Sequence, residues 1–359
     1  MMISRDVKQD KIVEDVVNLY KQEVLGAIII ACTGFGKTTC GFKIVKRFNK
    51  DLTTHVVLPT IALKDQWEEG IVNRQLPHNI KAFVINTYLA MTDVERQCDL
   101  LILDEIHRYS NDDAILFNTV IERTSFSQVL GLSATLTLDQ LRFLKERGIV
   151  VAANVPLHEA VANQWVSKFT QYNLGVRFTA EEQEKYTKAD NIMRAHSPYF
   201  EGIDPFNANK DKLALAQYCR DRGLDYKDVQ MRIARFNTSN AVRKAIVYGA
   251  INKVKIIPEI INWIDKKTII FSETQKYAEQ VQLLMPDTSV FYHSKLKVKE
   301  KLLALTKIKD DRVKVICTAK ALDEGLDIPT LKCAIIASGT SVERQQIQRI
   351  NKPVLFKAI

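Results

Sequence analysis

Residues 28–45 read IIIACTGFGKTTCGFKIV, an apolar run, a short glycine loop and then a helix-like segment. The run GAIIIAC (26–32) is short and β-branched, which suits a strand buried on both faces of a parallel sheet. Residues 37–48 carry the spacing of a helix. Between them Ala31 to Thr38 fit the pattern A-x-x-G-x-G-K-T, with Ala31 where the commonest version has Gly. Gly34 and Gly36 let the backbone turn with its N–H groups inward, and the helix N-terminus adds partial positive charge. The ligand this predicts is a triphosphate. Gly34, Phe35, Gly36, Lys37, Thr38 and Thr39 are expected to cradle it, with Lys37 at the β- and γ-phosphates and the Thr38 hydroxyl on Mg²⁺.

A loop alone says only that a nucleotide binds. The run LLILDEIH (100–107) supplies chemistry, because a carboxylate on a strand tip can hold Mg²⁺ while its neighbour orients and deprotonates water. Asp104 is expected on the metal side and Glu105 as general base. An isolated Asp-Glu pair would read as an acidic turn. Downstream of a phosphate loop it reads as the other half of an ATP-hydrolysing site.

Further short apolar runs fall at 55–60, 82–87, 99–104 and 128–133, with helix-like stretches at 61–73 and 111–124 between them. This alternation predicts a parallel α/β domain over residues 1–155. A second alternation begins with KTIIFS (267–272) and continues through 288–294, 313–318 and 333–338, predicting a second α/β domain over 261–359. Residues 156–180 read as a linker and the start of that second domain, and 181–260 as a helical insertion. Two domains also suit a chain of 359 residues, longer than one core usually organises.

The six cysteines are scattered without a CxxC pair, so reduced, mostly buried thiols are expected rather than a metal site. No apolar run approaches the length of a membrane span, and the charged N-terminus does not resemble a signal peptide. A cytoplasmic protein without a membrane partner is expected. The formal charge of +9 favours a polyanionic partner. Eleven Lys and Arg stand against four Asp and Glu between Lys210 and Lys255, which is either a solvated helical face or a nucleic-acid grip. Tyr172, Phe206, Tyr218, Tyr226 and Phe236 could stack bases there or fill a core.

Taken in order, the motifs resemble those of the superfamily two helicases and translocases, in the DEAD/DEAH-like branch that holds phage recombination helicases and restriction-type motors. ACTGFGKTT looks like motif I, LPTIALKDQW like Ia, INTYLAM like the next strand-contacting segment, LDEIH like II and LSAT like III. KTIIFSET looks like IV, CTAKALDEGLDIP like V and QQIQRI like the start of VI. The resemblance implies two RecA-like parallel-sheet domains with ATP between them and a nucleic-acid strand across both. It implies that Pro59, Thr60, Thr87 and Thr318 touch the sugar-phosphate backbone, and that Ser133 and Thr135 couple hydrolysis to movement. It also implies that Gly325, Asp327 and Arg349 reach the nucleotide from the second domain, and that Gln9 reads adenine. The implied partner is DNA, single-stranded or branched, in recombination, repair or replication, with RNA as the alternative and a monomeric chain in a bacterial or phage-infected cytosol.

Motif VI departs from the family pattern Q-R-x-G-R-x-x-R. After Gln348, Arg349 and Ile350 the chain has Asn351 for Gly, Lys352 for the first Arg and Leu355 for the last. Lys cannot reproduce the planar fork of Arg. An arginine finger contributes roughly 10³–10⁵ in rate. Two expectations stay open: a terminus altered or truncated from a longer active motor, or an ATP-dependent binder that does not hydrolyse.

Overall fold

The computed structural model describes residues 3–47, 52–109, 115–166, 168, 170–208, 211–293, 295–319, 331–338 and 354–358. The chain divides into two compact units, the first built mainly on Met1–Thr170 and the second mainly on Gln171–Leu322.

The first unit is a six-stranded sheet of β1 (Gly26–Ala31), β2 (Thr54–Leu58), β3 (Ile80–Val84), β4 (Gln97–Asp104), β5 (Ser125–Ser133) and β6 (Ile149–Val155). Their order is β3-β2-β4-β5-β1-β6, and every neighbouring pair is parallel. Helices α1 (Arg5–Lys21), α2 (Lys37–Arg47), α3 (Ile61–Asn73), α4 (Ile85–Leu89), α5 (Ile115–Arg123), α6 (Leu138–Glu146) and α7 (Leu157–Ala162) connect and cover it. Alternate residues of each strand feed two cores. Ile29, Val56, Leu58, Ile102 and Leu130 pack with Val16, Ile44 and Trp67 on one face. Ile28, Val57, Leu101, Leu103 and Val129 pack with Ile85, Tyr88 and Leu144 on the other. Burial on both faces is why these strands read as unbroken apolar runs.

The second unit holds β7 (Thr170–Leu174), β8 (Thr268–Ser272), β9 (Ser289–His293), β10 (Val315–Ala319), β11 (Cys333–Ile336) and β12 (Val354–Ala358), in the order β7-β12-β11-β8-β10-β9. From β12 to β9 the neighbours run parallel. Its helices are α8 (Ala180–His196), α9 (Lys212–Arg222), α10 (Tyr226–Gly249), α11 (Ile251–Ile264), α12 (Gln275–Leu284) and α13 (Val298–Lys307). The first three form a small body of their own around Met193, Phe200, Leu215, Tyr218, Ile233 and Phe236. Their limits are written locally. A capping box between Thr179 and Glu182 starts α8, Gly223 at φ 61° ends α9, and the Asp225 side chain caps α10. By contrast α11 lays Val254, Ile257 and Ile261 on the sheet with Tyr277 and Val281 of α12.

The two parallel sheets and the helical insertion are the architecture expected. Several elements differ in detail. The run at 82–87 is split, with the strand ending at Val84 and Ile85–Leu89 coiling so that Ile85 and Tyr88, three apart, bury together. The stretch VVAANV, where the pattern weakens, is the edge strand β6, whose mixed burial hides its period. Strands β7 and β12 were not expected. The last of the insertion's expected helical stretches runs on past 260 as α11, which is core to the second sheet. All six cysteines are unpaired and buried. Among the described residues no helix is long and apolar enough to cross a membrane.

Candidate nucleotide site

Ala31, Ser133 and Asp104 end β1, β5 and β4, three adjacent strands whose register sets Ile30 beside Ser133 and Leu132 beside Asp104. The carboxyl edge of a parallel sheet is where ligands of this fold class bind. Motifs far apart in the chain thus meet at one rim.

The glycine loop leaves β1 with Gly34 at φ 85° and Gly36 at φ 99°, conformations open to Gly at little cost. Helix α2 begins at Lys37, whose Nζ donates to Ala31 O at 3.3 Å, across the loop's own mouth. Phe35 is fully buried, edge-on to Trp165 with ring centroids 5.5 Å apart. Helix α1 braces the loop from below, because Gln9 Nε2 donates to Phe35 O at 2.8 Å and a Cβ on Gly36 would come within 2.6 Å of that nitrogen. Gln9 is 2% exposed. Its amide nitrogen is thus spent on shaping the loop from beneath, which is where the expected adenine reader lies. Lys43 of α2 pairs with Asp6 and Asp10, which pins the two helices together.

Asp104 is buried, with Oδ2 accepting from Trp67 Nε1 at 2.9 Å and Oδ1 from the backbone N–H of Glu105 at 3.0 Å. Burial, and then the charge of Glu105 beside it, raises its carboxyl to about 6. Glu105 sits at φ 57°, in the left-handed region that a non-glycine residue occupies at a cost. Its Oε2 lies 3.2 Å from His107 Nδ1. The same Nδ1 lies 3.1 Å from Ser133 Oγ, and that hydroxyl donates its hydrogen to Thr135 O at 2.8 Å. Ser133 must therefore accept from the imidazole, which assigns the proton to Nδ1. Gln140 closes the group, with Nε2 donating to His107 O at 2.7 Å and its other atoms completing the capping box with Thr137 that starts α6. One continuous chain of bonds joins LDEIH to LSAT.

These residues fit a magnesium nucleotide. The loop offers a glycine turn, a helix N-terminus and a lysine, and Asp104 is a buried anion that a cation would relieve. No three His, Cys, Asp or Glu side chains gather as a metal cage among the described residues. That suits Mg²⁺, which typically takes one or two carboxylates and completes its shell with phosphate oxygens and water. The Thr38 hydroxyl and Asp104 are the groups that would hold it.

The residues expected at a nucleic-acid strand divide. Pro59 and Thr60 are half-buried at the turn from β2 to α3, and Thr87 is exposed on α4, after the neighbouring strand β3. Thr60 also caps α3 by accepting from Leu63 N at 3.3 Å. Thr318 is 1% exposed inside β10, and its hydroxyl has no hydrogen-bond partner among the described residues. Tyr218 and Phe236, named as possible base stackers, are core residues of the insertion, and Phe206 leans on Phe236 with centroids 5.5 Å apart. Part of the basic stretch is likewise spent internally. Arg232 pairs with Asp228 at 2.7 Å, Arg243 pairs with Asp190 at 3.1 Å, and Lys253 is 4% exposed. Gly325, Asp327 and Arg349 lie outside the described residues, as do Asn351 and Lys352.

Three contributors to the site were not singled out from sequence: Trp67, His107 and Gln140. Gln140 had a readable signal, since T-x-x-Q before an apolar helix is a capping-box spacing. A tryptophan at a core-facing helical position must find a partner for its N–H, but sequence does not say which.

Comparison with known proteins agrees with this geometry. Residues 3–138 match the family described as type III restriction enzyme, res subunit, and residues 252–353 match the helicase conserved C-terminal domain. The chain is 26% identical over 361 residues to the DNA 3'-5' translocase XPB2 of Sulfurisphaera tokodaii, spanning 94% of this chain and 76% of that protein. The crystal structure of the Pyrococcus furiosus Hef helicase domain superposes with a TM-score of 0.56 at 16% identity, over 100% of this chain and 97% of that one, a likeness of fold. Matched over its front by the restriction-enzyme res-subunit family and over its back by the helicase conserved C-terminal domain, this chain is similar in sequence to the DEAD/DEAH-like superfamily two helicases and translocases.

Proposed function

We propose that this chain is an ATP-driven helicase or translocase that moves along or remodels DNA in recombination, repair or replication, working in the cytosol. The observation that carries the reading is the grouping at one sheet rim of the buried Asp104, Glu105 with its Oε2 3.2 Å from His107 Nδ1, and the His107–Ser133 hydrogen bond, beside a formed phosphate loop. Mg·ATP, when bound, would supply the energy; Lys37 would balance phosphate charge and Asp104 would help hold the Mg²⁺. Glu105 orients the attacking water and takes its proton, and the His107–Ser133 bond passes the change at Glu105 into the segment leading to α6. DNA rather than RNA is favoured by the similarity to a DNA translocase. Pro59, Thr60 and Thr87 offer the backbone-positioning groups of a sequence-independent grip.

The test is ATP turnover with single-stranded, duplex, forked and four-way DNA and with RNA. Stimulation by DNA is expected, and Glu105→Gln should abolish turnover while ATP-analogue binding persists. Turnover stimulated by RNA alone, or unchanged in Glu105→Gln, would refute the reading. A second reading, an ATP-gated clamp that does not hydrolyse, is favoured by one feature: Leu355, aligned with the last motif VI arginine, lies in β12 in register with Ala334 of β11. An intact wild type that binds both ATP and DNA with no turnover would select it.

A further inference from the structure

Trp67 is fully buried in α3, yet its one polar atom is aimed at the candidate metal carboxylate, with Nε1 2.9 Å from Asp104 Oδ2. Indole nitrogen is a donor only, and hydrogen bonds to an ionised acceptor are roughly twice as strong as neutral ones. The second oxygen of Asp104 is held by the Glu105 backbone N–H at 3.0 Å, so the carboxyl plane is fixed from both sides. The indole itself has no freedom. It packs edge-on against Phe42 with centroids 4.6 Å apart, and a Cβ at Gly41 would come within 2.7 Å of its ring. Gly41 and Phe42 belong to α2, the helix that opens at Lys37. A single rigid ring therefore spans from the phosphate-loop helix to the strand tip that carries Asp104.

We propose that Trp67 is a positioning residue for magnesium, fixing through its N–H the orientation of the Asp104 carboxylate. The inference rests on the nucleotide reading above and adds a residue to it. A tryptophan that only filled space would be replaceable by any group of its shape. One that orients a metal ligand is not, because partners that orient a ligand set metal affinity by about 10- to 100-fold.

The experiment is calorimetric binding of AMP-PNP across a Mg²⁺ titration, using the full chain. Trp67→Phe should leave AMP-PNP binding in EDTA unchanged and raise the half-saturating Mg²⁺ concentration about 10-fold or more. Because a phenyl ring is smaller, a second variant carries 3-benzothienylalanine at position 67, which keeps the bicyclic shape and lacks the N–H. It should show the same rise. Half-saturating Mg²⁺ equal to wild type in the benzothienyl variant overturns the proposal, as does an equal loss of binding with and without metal. If wild type binds no AMP-PNP, or Lys37→Ala binds it equally well, the nucleotide reading itself fails and this inference falls with it.

Discussion

Glu105 pays twice for its position. Its backbone is held at φ 57°, and its charge sits beside a buried carboxylate that its presence pushes further toward protonation. Strain kept at such a place points to function, since a glycine would relieve it. Glu105→Gly is therefore expected to raise folding stability by roughly 1 kcal/mol, measured by denaturant melts without nucleotide, while eliminating ATP turnover. A variant less stable than wild type would mean that side-chain contacts of Glu105 outweigh the backbone strain. At this scale the sequence announced the candidate groups for phosphate and metal, because Lys37, Thr38, Asp104 and Glu105 sit at fixed offsets from glycines and a strand end. It did not announce their supports. The Trp67–Asp104 and Gln140–His107 bonds join residues 37 and 33 positions apart, and only the assembled sheet brings them together.

Among the elements, α6 is tied to the site by the Gln140 side chain. Gln140 completes its own helix cap and donates to the His107 carbonyl, so Gln140→Ala removes both and leaves a buried acceptor unmatched. A loss of about 1–3 kcal/mol in stability is expected, read from urea unfolding. Helix α11 poses the opposite case. Lys253 is buried with Nζ 3.4 Å from Ala337 O, and burial lowers its pKa. With the folded value depressed, the protonated side chain costs stability at neutral pH. The cost fades as pH rises from the folded value toward the unfolded one, where the unfolded chain binds the extra proton. Lys253→Met should thus be more stable than wild type at pH 7, by roughly 1 kcal/mol, with the gap closing in alkaline melts. Strands buried on both faces were legible as apolar runs, whereas β6 and β7 are edge or half-exposed and leave no such trace. Helix α4 was hidden for another reason: five residues are too few to show a period.

For the whole molecule, the positive charge of +9 is the widest lever on function. The pairing of Arg232 and Arg243 with aspartates shows that counting lysines and arginines overstates what faces outward. Arg235 is exposed, and Arg232 lies over the ring of Tyr199 at 4.0 Å, a cation on an aromatic face at the surface of the insertion. If this face grips a phosphate backbone, affinity for duplex DNA falls with salt through counterion release, and Arg235→Glu flattens the slope of log K against log salt by about 1. Fluorescence anisotropy across a salt series measures it, and an unchanged slope would place the grip elsewhere. ATPase stimulation by the same duplex, measured alongside, tells a lost grip from a lost motor.

Strand β7 enters the second sheet before the chain departs into α8, and the two borders of that excursion are stitched together. Ile251 N donates to Glu182 at 2.9 Å, and the Asn252 amide donates to Arg177 O at 2.9 Å. Entry and exit thus form a closed collar on one body. A cassette rooted this way can be exchanged between relatives, or lengthened over generations, without unravelling the sheet that carries it, so the tool can diversify while the engine stays the same.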